Sequence, residues 1–258
     1  MKVLDLFSLK GKVAVVTGGT GLYGKYIVEA LAEAKAITYV VSRNLKNCEK
    51  LAISLRKKGY KVQSGEVDLC QEDSIKRLYE KIITKEKRID ILVNNAVLRP
   101  MKSYNDPIEN FRVSMEVNAV GVFNLTRLFA KNMIKNRIGS IMNISSIQGV
   151  TGPDFNLYEG TNMDTPPDYF FHKAGLISLT RYLAARLGPY NIRVNCVSPG
   201  GLFNNQTPKF VERYNKRTFL GRMALGNDIK GVIVFLASDA SLYVTGANIL
   251  IDGGYTAK

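Results

Sequence analysis

The chain predicts an α/β fold: a Rossmann-type, doubly wound parallel sheet of about seven strands with helices on both faces. Three observations carry this expectation. A short apolar run, Val13-Ala14-Val15-Val16-Thr17, ends in a cluster of glycines, as a strand buried on both faces does. Apolar runs then alternate with amphipathic stretches along the chain, the pattern that winds a parallel sheet. The predicted strand ends carry Asp68, Asn94-Asn95, Ser145-Ser146 and Pro199-Gly200, and ligands of such sheets bind beyond those ends.

The first strand runs into Gly18-Gly19-Thr20-Gly21-Leu22-Tyr23-Gly24 and an amphipathic helix to about Ala34. A second apolar run, Ile37 to Val41, completes a β-α-β crossover. Glycines at that place permit a tight turn and close backbone approach, so that a pyrophosphate can sit on the helix N-terminus, where free N–H groups and the macrodipole favour anions. A helix from Leu45 to Lys58 and a strand from Lys61 to Val67 follow, then a helix with Ile75, Leu78 and Ile82 at helical spacing. Next come a strand from Ile89 to Val93, a long helix from Pro107 to Asn136 and a strand from Ser140 to Ile144. A helix opening near Tyr169 precedes the strand Ile192 to Val197, helical segments over 208–223 and 227–237, and a last strand from Asn248 to Ile251.

At 258 residues, with no linker or low-complexity run, the chain reads as one domain over 1–258. Its 46% hydrophobic and 22% charged residues are globular proportions. No apolar run approaches the ~18 residues of a membrane span, and the N-terminus lacks the order of a signal peptide, so a cytoplasmic location is expected. Cys48, Cys70 and Cys196 are widely spaced and lack nearby histidine, which indicates reduced thiols and no metal site. The net charge of +14 is spread along helical stretches such as Arg56-Lys57-Lys58. That distribution suits a solvated surface and an anionic small molecule, and no nucleic-acid module accompanies it.

Chemistry concentrates at Tyr169-Phe170-Phe171-His172-Lys173. Residues i and i+4 share a helix face, so Tyr169 and Lys173 are neighbours. Of thirteen tyrosines, only this one has lysine four places on. A phenol with a pKa near ~10 needs about 4 kcal/mol of preferential phenolate stabilisation to act as an acid/base at neutral pH, and a fixed cation supplies part of it. Taken alone, the spacing also fits an ordinary surface pair.

With these residues placed, the chain resembles the short-chain dehydrogenase/reductase family in its compact single-domain branch, over essentially its whole length. The resemblance rests on Thr17-Gly18 with Gly24, Asp68, Asn94-Asn95-Ala96, Asn118, Ser146, Tyr169 with Lys173, Pro199-Gly200, Leu236-Ala237-Ser238-Asp239 and Asp252-Gly253-Gly254. It implies a nicotinamide-dependent enzyme in which Tyr169 is the acid/base and Lys173 binds the nicotinamide ribose and lowers the tyrosine pKa. Ser146 would hydrogen-bond the substrate oxygen, and Asn118 would hold a water linking the lysine to solvent. The cofactor contacts it implies are Gly18, Thr20, Gly21, Leu22, Tyr23 and Gly24, then Ser42 and Arg43, Asp68 and Leu69, Asn95, Ala96 and Val97, Tyr169 and Lys173, and finally Pro199, Gly200 and Gly201. Homo-dimers or homo-tetramers through the long helices are likewise implied.

Three departures from the family pattern stand out. Leu22 occupies the place of a middle glycine, a spacing that resembles the extended branch with its sugar epimerases and dehydratases. An insertion of about ten residues, over about 151–168, separates Ser146 from Tyr169. His172 stands where serine commonly precedes the lysine, and is read as a packed helix residue. Asp5 to Lys12, Tyr158 to Met163 and Gly200 to Gln206 also resemble bacterial oxidoreductases of flagellin modification and nonulosonic-acid biosynthesis, implying a polar sugar or sugar-phosphate substrate. Asp154, Asn156, Glu159, Asn162 and Asp164 of the insertion would then face sugar hydroxyls, or else form a solvated loop. Asn204 and Asn205 join that pocket expectation. Lys209, Arg213, Lys216 and Arg217 would face a phosphate, or else an exposed helix surface.

The end of the second strand, Val40-Val41-Ser42-Arg43, selects the cofactor. An acidic residue there binds both ribose hydroxyls of NAD, whereas arginine accommodates a 2′-phosphate. Ser42 takes the place of the acid and Arg43 offers a planar donor set, so NADP(H) is expected, with NAD(H) possible. The leading function is hydride transfer between NADP(H) and a carbonyl or secondary alcohol. The alternatives are a nicotinamide-retaining epimerase or dehydratase and a non-catalytic dinucleotide-binding protein.

Overall fold

The computed structural model of the chain describes residues 2–257. Seven strands form one sheet: β1 (Val13–Thr17), β2 (Ile37–Ser42), β3 (Val62–Glu66), β4 (Ile91–Asn94), β5 (Gly139–Ile144), β6 (Ile192–Pro199) and β7 (Asn248–Ile251). Their order is β3-β2-β1-β4-β5-β6-β7, and every neighbouring pair is parallel. The winding reverses between β1 and β4, which opens a crevice at their carboxyl ends.

The principal helices are α1 (Gly24–Glu33), α2 (Leu45–Arg56), α3 (Glu72–Glu86), α4 (Ile108–Met115), α5 (Val122–Asn136), α6 (Pro167–Leu187), α7 (Pro208–Arg217) and α8 (Lys230–Ala237). Alternate residues of β1 enter two cores. Val13 and Val15 pack with Leu125 and Phe129 of α5 and Leu183 of α6, while Ala14 and Val16 pack with Ile27 and Leu31 of α1 and Ile233 and Leu236 of α8. Both faces are covered, which is why β1 reads as an unbroken apolar run. A third cluster of Ile147, Leu157, Phe210, Tyr214 and Met223 lies where the insertion meets α7.

Three helical expectations need correction. The long helix over Pro107 to Asn136 is broken by a π-helical stretch, Glu116–Gly121, between α4 and α5. Gly121 lets that stretch press on the loop after β3, since a Cβ there would stand 2.4 Å from the Leu69 carbonyl oxygen. The expectation of one continuous helix missed this stretch because the segments on both sides of it are helical. The segment over 208–223 is helical only to Arg217, after which Ala224 bridges Leu202. The segment over 227–237 begins as a 3-10 turn, Gly226–Ile229, before α8.

Candidate active site

A cavity of about 620 Å³ runs along the sheet crevice, bounded by the segments that follow β1 to β6. One end is formed by Ser42, Arg43, Asp68 and Leu69, and the glycine loop contributes Gly18, Thr20, Gly21, Leu22 and Tyr23. Asn95, Ala96, Val97, Tyr169, Lys173, Pro199, Gly200 and Gly201 continue the wall. Of the expected cofactor contacts only Gly24 is absent from this lining. Its role is packing, because a Cβ at Gly24 would lie 2.2 Å from the Gly18 carbonyl oxygen.

The loop that begins this cavity is held from beneath. Gly18 sits at φ +61°, and a side chain there would meet the Ala96 Cα at 2.6 Å. Asn95 Nδ2 donates to the Thr17 and Gly18 carbonyls at 3.1 and 2.8 Å, and Thr17 Oγ1 accepts from Asn95 N and Ala96 N. Asn95 is therefore a strap between β4 and the glycine loop. Tyr23 donates to the Gly200 carbonyl at 3.0 Å and joins that loop to the segment after β6.

At the other end Ser146, Tyr169 and Lys173 come together. Lys173 is 4% exposed, and its Nζ donates to the Ile144 carbonyl at 2.6 Å. That ammonium stands 5.5 Å from the centre of the Tyr169 ring. Burial pushes the Tyr169 phenol up, but the charges of Lys173 and Arg99 and hydrogen bonds from Ser146 and Arg99 outweigh it and bring the phenol below its ordinary value. Burial, with Arg99 adding to it, lowers Lys173 against the opposing pull of Tyr169. Ser145 Oγ donates to the Lys173 carbonyl at 2.7 Å, fixing α6 against the end of β5.

Asn118 is not on the cavity wall. Its Oδ1 accepts from Leu98 N at 2.8 Å, and its Nδ2 donates to the Leu98 carbonyl at 2.7 Å and to Ser114 Oγ at 3.0 Å. The side chain thus clamps the loop after β4 from the π-helical stretch. His172 is buried with its ring edge-on to Tyr169, the centroids 5.2 Å apart. Burial first, and then the charges of Lys173 and Arg99, lower it to about 3, which keeps the imidazole neutral.

The insertion meets the cavity differently from expectation. Tyr158 and Met163 line it, whereas Asp154, Asn156, Glu159, Asn162 and Asp164 do not. Arg217 pairs with Asp154, and Arg213 binds the Asn156 and Glu159 carbonyls at 2.8 and 2.6 Å, so these groups tie the insertion to α7. Lys216 pairs with Glu212, and neither Lys209 nor these three cations reach the wall. Asn204 and Asn205 also lie off it, and Gln206 takes their place. Sequence reasoning missed Arg99, Gln148, Phe210, Tyr214 and Met223 as wall residues. The one available signal for Arg99 was a cation just beyond a strand end; the others arrive through tertiary packing.

A family profile described as enoyl-(acyl carrier protein) reductase matches residues 23–256. The 3-oxoacyl-(acyl-carrier-protein) reductase FabG of Thermotoga maritima is 36% identical over 251 residues, 95% of this chain and 98% of that protein. The chain belongs to the short-chain dehydrogenase/reductase family. This NAD(P)-dependent dehydrogenase/reductase is also 31% identical to post-translational flagellin modification protein A of Campylobacter coli, over 96% of this chain and 99% of that one. Its fold matches a gluconate 5-dehydrogenase from Burkholderia cenocepacia J2315 in complex with NADP and tartrate, at a TM-score of 0.90, 28% identity and full coverage of both chains. A short-chain dehydrogenase from Leptospira borgpetersenii with bound NAD+ matches at a TM-score of 0.87 and 33% identity, over 99% of this chain and 96% of that one. Among the described residues no helix is long and apolar enough to cross a membrane, and no group of three or more His, Cys, Asp or Glu could hold a metal ion.

Proposed function

We propose that this dehydrogenase/reductase transfers a hydride between NADP(H) and the carbonyl or secondary alcohol of a polar sugar or sugar phosphate. In this reading residues 1–258 act as one catalytic domain with a substrate-facing insertion over about 151–168, working in the cytoplasm as a homo-oligomer. The observation that carries it is the Tyr169 phenol, set beside the Lys173 and Arg99 cations and facing, with Ser146, a long cavity.

The cavity suits a dinucleotide on its own features: a glycine loop leading into α1 for a pyrophosphate, a cation and an acid at one end, and proton-donating side chains at the other. Gly18, Thr20, Gly21, Leu22 and Tyr23 would hold the pyrophosphate, Arg43 the 2′-phosphate, Asp68 and Leu69 the adenine, and Lys173 the nicotinamide ribose. Bound there, the nicotinamide supplies or accepts the hydride. In the reductive direction negative charge develops on the substrate oxygen, where the Ser146 hydroxyl donates a hydrogen bond and Tyr169 Oη gives up its proton. The Lys173 ammonium then faces a phenolate rather than a phenol, which makes the proton easier to release. Asn118 serves this site by fixing the loop after β4.

The sugar assignment draws support from similarity to a gluconate dehydrogenase and to a flagellin modification protein. Related structures hold NADP in one case and NAD+ in the other, and Arg43 with Ser42 favours the first here. The Thr17-Gly18-x-x-Gly21-x-x-Gly24 spacing keeps one second reading in view, an epimerase or dehydratase that reoxidises its own nicotinamide. Incubating the enzyme with keto-sugars and keto-sugar phosphates while following NADPH absorbance separates the two. Net NADPH consumption supports the reductase; product formation without consumption supports the second reading.

A further inference from the structure

Arg99 occupies a position that the sequence pattern left unassigned. Its guanidinium carbon lies 4.2 Å from the centre of the Tyr169 ring, so the side chain, although exposed, folds over the phenol and lines the cavity. A guanidinium has five N–H donors, so its contacts with the ring and hydroxyl of Tyr169 leave others for a planar acceptor. The backbone that presents it is fixed, because Asn118 binds both the N–H and the carbonyl of the preceding residue, Leu98. The Arg99 carbonyl in turn accepts from Lys102 Nζ at 3.0 Å.

The charge around Arg99 is unbalanced. The cavity wall carries four formally charged side chains, Arg43, Asp68, Arg99 and Lys173, and its sole carboxylate, Asp68, belongs to the opposite end with Arg43. No ion pair to Arg99 occurs among the described residues, although most of the acids near the insertion and α7 are paired elsewhere. Two cations thus converge on the reacting phenol, and the remaining groups at that end, Gln148, Tyr158 and Gln206, are neutral. Lowering the phenol is one use of that second cation, and an anionic group on the substrate would give it another.

Resting on the reading of Tyr169 as the site of proton transfer, we infer that Arg99 is a substrate-binding residue for a carboxylate or phosphate carried within a few bonds of the reacting carbon. The substrate is then an anionic polyol, and Arg99 rather than the cations of α7 selects it. The Tyr158 hydroxyl, held by Gln148 Nε2 at 3.3 Å, completes the polar wall on the same side. A carboxylate and a phosphate share the chemistry recognised here, and the two differ in how they tolerate lysine.

The test is calorimetric titration of the enzyme, saturated with whichever nicotinamide dinucleotide it binds, using tartrate, glycerol phosphate and xylitol as probes. Arg99→Gln should weaken at least one anion roughly tenfold or more while leaving xylitol and dinucleotide binding unchanged. Arg99→Lys retaining glycerol phosphate marks a phosphate; Arg99→Lys behaving like Arg99→Gln toward tartrate marks a carboxylate. Equal anion binding by wild type and Arg99→Gln overturns the inference. If keto-sugars are reduced but anion binding is the same in wild type and Arg99→Gln, the anion assignment falls and the sugar reading stands. If no sugar is turned over but anion binding depends on Arg99, the anion site stands and the sugar reading falls.

Discussion

Two cations and a hydroxyl act on one phenol, and that crowding sets the pH behaviour of the site. Burial raises Tyr169, and Lys173, Arg99 and Ser146 reverse it, so the folded-state pKa lies below the ordinary ~10. A lowered acid ionises at lower pH. Alcohol oxidation, which needs the phenolate, should therefore rise with pH through a midpoint below ~10, while carbonyl reduction falls through the same midpoint. Removing one cation by Arg99→Gln should move that midpoint upward; an unchanged profile would show that Arg99 does not act on the phenol. At the other end Arg43→Ala should erase most of a roughly 10- to 150-fold preference for NADP(H), measured as kcat/KM with both cofactors. A wild-type preference for NAD(H) would contradict the role given to Arg43. These residues differ in how visible they were: Tyr169 and Lys173 announce themselves by helical spacing, whereas Arg99 acts through a ring 70 residues away in sequence, which no local pattern records.

Elements were legible where burial dictates composition. β1 and β2 are largely apolar because both sheet faces are covered, and their limits agree with the apolar runs to within a residue. The π-helical stretch and the end of α7 were not legible, since one is set by the approach of Gly121 to Leu69 and the other by the Leu202 to Ala224 bridge. The insertion was legible as an extra segment, but its Asp154, Asn156 and Glu159 meet α7 instead of the cavity. Arg213 and Arg217 make that connection, and Arg213 reaches two backbone carbonyls. Partly exposed pairs contribute only about 0–1 kcal/mol each, so their loss should loosen the cap without unfolding the protein. Arg213→Ala with Arg217→Ala is expected to raise KM several-fold with dinucleotide affinity unchanged; an unchanged KM would mean that the cap is held by the Leu157, Phe210 and Tyr214 cluster alone.

Among the described residues, several large apolar side chains of α4 to α6 stay exposed. Ile108, Val113, Phe123, Phe171 and Tyr182 are each at least two-fifths exposed, and Phe171 meets Phe111 edge-on across α4 and α6. Burying such a face between copies is favourable at about 25 cal/mol per Å² of apolar area. Light scattering should accordingly give twice or four times the chain mass. A monomer at micromolar concentration would refute assembly through these helices.

In the proposed reaction Tyr169 carries the proton while other residues hold the cofactor, and Tyr169→Phe isolates that role by deleting one oxygen. NADPH binding, followed by the fluorescence of the bound dinucleotide, should persist in this variant. Turnover of the substrate identified by absorbance screening should fall by about 10²- to 10⁴-fold, the usual contribution of a positioned acid/base. Full turnover by Tyr169→Phe with NADPH bound would contradict the account and shift the proton donor to another hydroxyl of the cavity, with Tyr158 the first to examine.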